Sequence, residues 1–294
     1  MADLRPYWNE TDRLAHRSIA MSRLSKLPPF RPTAMQLLMV STESDSAVKD
    51  FERAFQGDPA LASHLLMVAN SPLYGFSSRV DSVKRAIMLL GLEGVRSLSF
   101  TIGLGTYVKG AAASAVVRSV WNHSLATAVI AEAIGKASGH DVPFLYTAGL
   151  VHDVGRLGLL SIEGARYAEV LSRSYLDLEE SLLLEEMTCG CSHDEAGGFL
   201  APAWGFPQTL CDCIRHHHRP NAADGSQMLL QMAQLACHKA DELGYGEIVC
   251  DRQEPVAMEE SLVARIGRAP GMKAELLRDR IGRMIEALVG EDRR

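Results

Sequence analysis

Apolar residues along this chain recur at intervals of three and four, and no two strictly alternating segments are joined by a hairpin turn. That period restricts the chain to an all-α architecture. Local punctuation divides it into helices. In GDPALASHLLMVANSPLYG, Asp58 suits an N-cap, Pro59 fits a first helical turn, and Pro72 disfavours helix before it, so a helix is expected over roughly 59 to 69. A second starts at Asp81 or Ser82 and stops near Gly91, where glycine can adopt a left-handed cap, and a third follows from about Glu93. A long helix carries VWNHSLATAVIAEAIGKASGH to Gly139, and a short one runs from Pro143 to about Val154. Further helices are expected through HDEAGGFLAPAWG, from Gln208 to His218 with a break at Pro220, and through QMLLQMAQLACHKADELG. Two amphipathic stretches around Pro270-Gly271 close the chain.

Composition narrows the function classes. With 294 residues, 47% hydrophobic and 22% charged, the chain can bury a sizeable core as one large helical body or two modest lobes. The second and third helices have the spacing of a helix-turn-helix, but Val83, Ile87 and Leu90 form an apolar packing face. A net charge of −6 with no basic patch argues against nucleic acid. The N-terminus has no apolar core of signal-peptide length, and no run of transmembrane length is free of charge. A cytoplasmic protein without membrane contact is therefore expected.

The stretch AGLVHDVGRLG places His152 and Asp153 side by side within an apolar run. Imidazole nitrogen suits borderline divalent metals, and a carboxylate adds a harder oxygen that can bridge two ions. An isolated pair of this kind is more often a hydrogen-bonded core feature. Other histidines change the balance: His123 lies 29 residues upstream, His193 opens a later helix, and His216, His217 and His218 end the next. Packed helices can bring such residues into one bundle core.

From about Leu27 to about Pro220 the chain resembles the HDOD proteins (HD-related output domain), a branch of the HD superfamily of helical metal-dependent phosphohydrolases. The resemblance rests on LPPF (27 to 30), DPALASHLLMVANSPLYG (58 to 75), SVKRAIMLLGLEGVRSL (82 to 98), WNHSLATAVIAEAI (121 to 134), AGLVHDVGRLGLL (148 to 160), HDEAGGFLAPAWGFP (193 to 207) and IRHHHRP (214 to 220). It implies a helical bundle in which an HD-like C-terminal lobe packs on a smaller N-terminal helical lobe. The expected organisation is an extension over 1 to 26 and an HDOD domain over 27 to 220. Within that domain the N-terminal lobe runs to about 110 and the HD-like lobe starts at about 115, and residues 221 to 294 add C-terminal helices. It also implies a metal site at His123, His152, Asp153, His193, His217 and His218. Neighbours on a helix point about 100° apart, so His216 is assigned to surface or packing.

Departures from the pattern bear on catalysis. Active relatives place a last metal-binding aspartate in a later helix, and LACHKADELG puts Cys237 there, with Asp241 one turn further as the other candidate. The Gly-Tyr-Pro loop of the cyclic-dinucleotide enzymes is absent, HHHRPNAADGSQ standing in its place, and no phosphate-cradling glycine loop is present. Cys189, Cys191, Cys211, Cys213 and Cys250 read as free thiols, since Cys-x-Cys on a helix splays its sulfurs about 200° apart. Met228, Met232 and Leu235 read as a core stripe, and Trp121 and Trp204 as packing anchors.

Two functional readings follow. In the first, the chain is a bacterial-type signal-transduction output module. Its histidine cluster holds iron, zinc or manganese, as one ion or two, and its surface engages a signalling protein partner. In the second, it is a metal-dependent phosphohydrolase acting on a nucleotide or other small phosphorylated ligand, with Asp153 and His193 as the catalytic candidates for proton handling. A homo-oligomer through the C-terminal helices, 258 to 290, is a further expectation.

Overall fold

In the computed structural model, residues 9–110, 115–172, 178–219, 227–246 and 258–289 are described, except for the side chains of 106–110. Among them every regular element is a helix. Pro220 and Cys250 lie outside the described residues, as do residues 1–8 of the expected N-terminal extension.

The N-terminal lobe is built from α2 (Pro32–Met39), α3 (Ala47–Gln56), α4 (Pro59–Ala69) and the first half of α5 (Val83–Gly110). Asp58 caps α4 as its sequence context indicates, accepting the Leu61 N–H at 3.0 Å, and Pro59 occupies the first turn. Asn70 ends the helix and clamps the following loop through Val80: its side-chain amide donates to Val80 O and its carbonyl accepts the Val80 N–H, both at 2.8 Å. The expected break near Gly91 is present. With φ 74° and ψ 166° that residue is non-helical, so α5 is two helical pieces meeting at a bend, and glycine is the residue that adopts this geometry without a Cβ penalty. Phe51, Leu61, Leu65, Val95 and Leu98 interlock as the core of this lobe. One stretch, Val83–Gly105, has the length and apolarity to cross a membrane, but half of its most apolar window is buried inside the protein.

Around α6 (Ala115–Ser138) the second lobe assembles. From Ser124 to Ala131 every α6 residue is buried, and a helix buried all round needs neighbours on every side. These neighbours include α7 (Val142–Val151), α13 (Gln227–Ala240), α14 (Glu260–Arg268) and α15 (Ala274–Val289). Gly139 ends α6 at φ 74°. The inner faces of α14 and α15 (Leu262, Ile266, Leu277, Ile281) are spent within the chain, in the cluster that contains Val129, Ile130 and Ile134 of α6. Trp121 and Trp204 are buried anchors in the larger core.

Several elements were not visible in the sequence. Helix α1 (Glu10–Leu24) packs on α8 (Val154–Glu163), α10 (Leu178–Cys189) and α11 (His193–Ala203), held by Arg13–Glu186 at 2.8 Å, Arg17–Glu195 at 3.0 Å and an Arg23–Glu163 pair. Helices α2, α3, α8, α9 (Ala165–Leu171) and α10 were likewise not expected. The helix expected from Pro143 to about Val154 stops at Val151. The sequence shows one apolar run there, but Asp153 leaves helical geometry (φ −99°, ψ 19°) and the chain turns into α8. Met228 is 38% exposed, so the Met228, Met232, Leu235 stripe is core only at its centre, where Met232 is fully buried.

Candidate metal centre

The six candidate ligands come from four places in the fold. His123 lies in the middle of α6, and His152 and Asp153 form the turn between α7 and α8. His193 is the first residue of α11, and His217 and His218 follow α12 (Gln208–His216). His217 keeps helical backbone angles (φ −60°, ψ −26°) as the cap of α12, and the side chains of His217 and His218 both reach His193. His216 remains at the half-buried surface, as expected. The HD turn meets α11 at Gly155, where an added Cβ would lie 1.8 Å from His193 O. Only a glycine lets α8 and α11 approach closely enough to bring Asp153 and His193 together.

The six expected residues converge. Asp153 Oδ1 faces His193 Nε2 at 3.3 Å and His217 Nε2 at 3.2 Å. Its Oδ2 faces His152 Nε2 at 3.6 Å and His123 Nε2 at 3.8 Å. His218 Nε2 lies 2.8 Å from His193 Nε2, and His123 and His152 approach at 3.2 Å through the same atoms. The result is two clusters, Asp153, His193, His217 and His218 on one side and His123, His152 and Cys237 on the other, with the second oxygen of Asp153 turned toward the latter. Cys237 Sγ stands 3.5 Å from His123 Nε2. Asp241 instead lies behind His123, with Oδ1 3.4 Å from Nδ1, where Tyr245 O also stands at 3.1 Å.

The outer nitrogens explain why the inner ones point inward. His152 Nδ1–H donates to Gly149 O and His217 Nδ1–H to Ile214 O, each at 2.8 Å, while His193 Nδ1–H donates to Glu185 Oε2 at 2.7 Å. With the proton at Nδ1, Nε2 carries a lone pair, and these lone pairs converge within hydrogen-bond distance of one another and of a carboxylate. Asp153 Oδ1 is buried without a hydrogen-bond partner. Electron pairs so arranged repel unless a cation lies among them, and nitrogen and oxygen donors of this set suit a divalent transition metal. The residues therefore fit the metal that the resemblance implies.

Protonation states agree with that fit. Burial pushes His152 down to about 3, with His217 and His123 adding to the effect against the pull of Asp153, so its ring is neutral at ordinary pH. His218 is also lowered, first by burial and then by His217 and His193. Burial raises the Asp153 carboxyl, but the Arg156 guanidinium beside it outweighs that and holds the group well below the usual range. Neutral imidazoles around an ionised carboxylate are the metal-binding forms.

A supporting network that the sequence did not reveal lies behind the ligands. Arg156 Nε donates to Asp153 Oδ2 at 3.0 Å, and its Nη1 donates to Glu185 Oε1 at 3.1 Å. Glu185 also accepts the Tyr167 hydroxyl at 2.7 Å and the His193 backbone N–H at 2.8 Å. Arg156 could have been sought three residues after Asp153. Nothing in LLLEEM distinguishes inward Glu185 from outward Glu186. Cys189, Cys191, Cys211 and Cys213 are buried free thiols. Among the described residues none of them belongs to a metal-competent group.

On the surface, His218 lines a cleft of about 680 Å³ together with Arg17, Asp194, Glu195, Arg215 and Arg219. Its arginines are already engaged: Arg17 with Glu195 at 3.0 Å, Arg215 with Gly198 O at 3.0 Å, and Arg219 with Glu179.

Comparison with known proteins bears on the family and the fold. The sequence model of the HDOD domain matches residues 27–220. An uncharacterized protein of Treponema pallidum (strain Nichols) is 25% identical over 234 residues, covering 77% of this chain; the chain spans only 44% of that relative's length. The crystal structure of an HDOD domain protein of unknown function from Geobacter sulfurreducens superposes with a TM-score of 0.71 at 24% identity, over 97% of this chain and 99% of that one. A candidate signal-transduction protein from Marinobacter aquaeolei superposes with a TM-score of 0.67 at 21% identity, over 97% of this chain and 66% of that one. At these identities the two structures speak for the fold.

Proposed function

This chain belongs to the HDOD family, and from that premise we propose that it is a cytoplasmic signal-transduction output module with a retained divalent-metal centre, acting through a protein partner. The centre is held by His123, His152, Asp153, His193, His217 and His218 and contains iron, zinc or manganese. One observation carries the regulatory reading: His123, His152, Asp153, His193 and His217 are 3%, 2%, 4%, 1% and 2% exposed. A centre this enclosed, beside a cleft whose arginines already have partners, suits a metal that stabilises or senses. The Marinobacter protein of the same fold is named for signal transduction, which is consistent with this reading.

A second reading is a metal-dependent phosphohydrolase. Two observations favour it: the Asp153 carboxylate faces both clusters, and His218 reaches the cleft. A bound divalent ion would supply Lewis acidity. Within the chain, His193 would act as the proton carrier at Nε2 in place of serving as a ligand, leaving the metal to the other residues, while Glu185 fixes its other nitrogen and Asp153 would orient the site.

Elemental analysis of protein purified without added metal distinguishes these readings, together with a phosphoester panel assayed with manganese. The regulatory reading expects at least one metal per chain, a lower melting temperature after chelation, and no turnover that depends on the site. Turnover abolished by both His152→Ala and Asp153→Ala would establish the hydrolase instead, and a metal content near zero would remove the centre.

A further inference from the structure

We infer that Cys237 binds metal as a thiolate, so that the centre pairs one sulfur-containing pocket (His123, His152, Cys237) with one of nitrogen and oxygen only (Asp153, His193, His217, His218). The inference rests on the metal-holding reading and adds a chemical asymmetry to it.

Three features of the geometry carry it. The Cys237 sulfur faces His123 Nε2, the nitrogen turned toward His152, and the ligand atoms of the three residues lie within 4.8 Å of one another. Asp241, the other candidate from the sequence, faces the opposite ring nitrogen and does not take this position. The buried Asp153 Oδ1 without a hydrogen-bond partner faces His193 and His217, and so marks the adjoining pocket, against which the Cys237 pocket is built, as made for a cation.

Other thiols of the chain provide a contrast. Burial pushes Cys213 up to about 12, and Cys211 Sγ donates to Phe206 O at 3.4 Å, so these are packing groups held as thiols. Cys237 instead projects from α13 onto the imidazole pair. On binding, its S–H bond breaks, a metal–sulfur bond forms, and the proton leaves to the buffer. A soft donor beside two imidazoles favours zinc or ferrous iron over manganese, whereas the second pocket lacks that bias.

Cobalt(II) added to the metal-free, reduced full-length chain provides the test. Wild type should develop a near-ultraviolet sulfur-to-metal charge-transfer band, absent from Cys237→Ser and Cys237→Asp. Cys237→Ser should weaken zinc binding on the order of 100-fold, the upper end of the effect of disturbing even an outer-shell partner. In Cys237→Asp the preference should move from zinc toward manganese in direct competition. Cobalt bound to wild type without the band would overturn the thiolate and leave the metal centre standing. No cobalt bound at all would overturn both. The decisive readout is on wild type, so neither refutation depends on a variant folding.

Discussion

Glu185→Gln tests whether the outer network fixes the metal-facing geometry. The side chain is fully buried, and its two oxygens accept four donors: Tyr167 OH and Arg156 Nη1 at Oε1, and the backbone N–H and Nδ1–H of His193 at Oε2. Burial raises this carboxyl, but His193 and Arg156 outweigh that and hold it below its ordinary value, so it is an ionised acceptor at neutral pH. Glutamine keeps the volume but offers one carbonyl oxygen and one NH2. Two of the four donors then face a donor. At about 1 to 3 kcal/mol for each unsatisfied buried group, the variant should lose about 2 to 6 kcal/mol of stability. Arg156 keeps Asp153 as a partner, which limits the loss. His193 also loses the acceptor that fixes its tautomer, so metal affinity should fall about 10- to 100-fold. Denaturant unfolding reads the first quantity, and competition with a chromophoric chelator reads the second. Tyr167→Phe provides the scale, because it removes one donor from the same carboxylate; it should cost about 1 kcal/mol and leave metal affinity unchanged. A Glu185→Gln protein with wild-type chelator competition and a stability loss below about 1 kcal/mol would refute the positioning role.

Two further predictions concern the fold. Gly155→Ala should unfold or strongly destabilise the protein and abolish metal binding, because its Cβ would meet His193 O at 1.8 Å. Gly267→Ala, exposed on α14 with nothing within 4 Å, should be neutral or stabilise by about 0.5 to 1 kcal/mol. Circular dichroism melts would compare the two, and a normal melt for Gly155→Ala would contradict the close approach of α8 and α11. The half-buried Arg31–Asp58 pair gives a pH signature. Arg31, through hydrogen bonds at 2.7 Å, and the Leu61 N–H lower Asp58 to about 2 despite its partial burial. Since the folded value lies below the unfolded value of about 3.9, the contribution is present above pH 4 and is lost as pH falls through about 2. Allowing for solvent screening, it amounts to about 1 kcal/mol. The stability gap between wild type and Asp58→Asn should therefore close between pH 4 and pH 2, and a gap constant with pH would show that the pair is not responsible.

The helical period, the Asp58-Pro59 start, the Gly91 break and the Gly139 stop are local properties, set by backbone sterics and capping within a few residues. They determine an all-α chain without reference to distant partners. The histidine and aspartate set could be named only through the resemblance to the HDOD proteins, because the motifs that carry it are short and contiguous in the sequence. Less legible were α8 to α10, where an apolar run conceals the turn at Asp153 and only the approach of α11 shows where the chain must bend. The division into two ligand clusters required the tertiary structure, since Asp153 acquires two faces only when five segments meet around it. Packing also resolved the pairs that the sequence left equal: Cys237 over Asp241 beside His123 Nε2, and Glu185 over Glu186 beneath His193. Neighbouring or one-turn-apart residues share their local propensities, and which of them faces inward depends on the angle at which a helix docks on its neighbours.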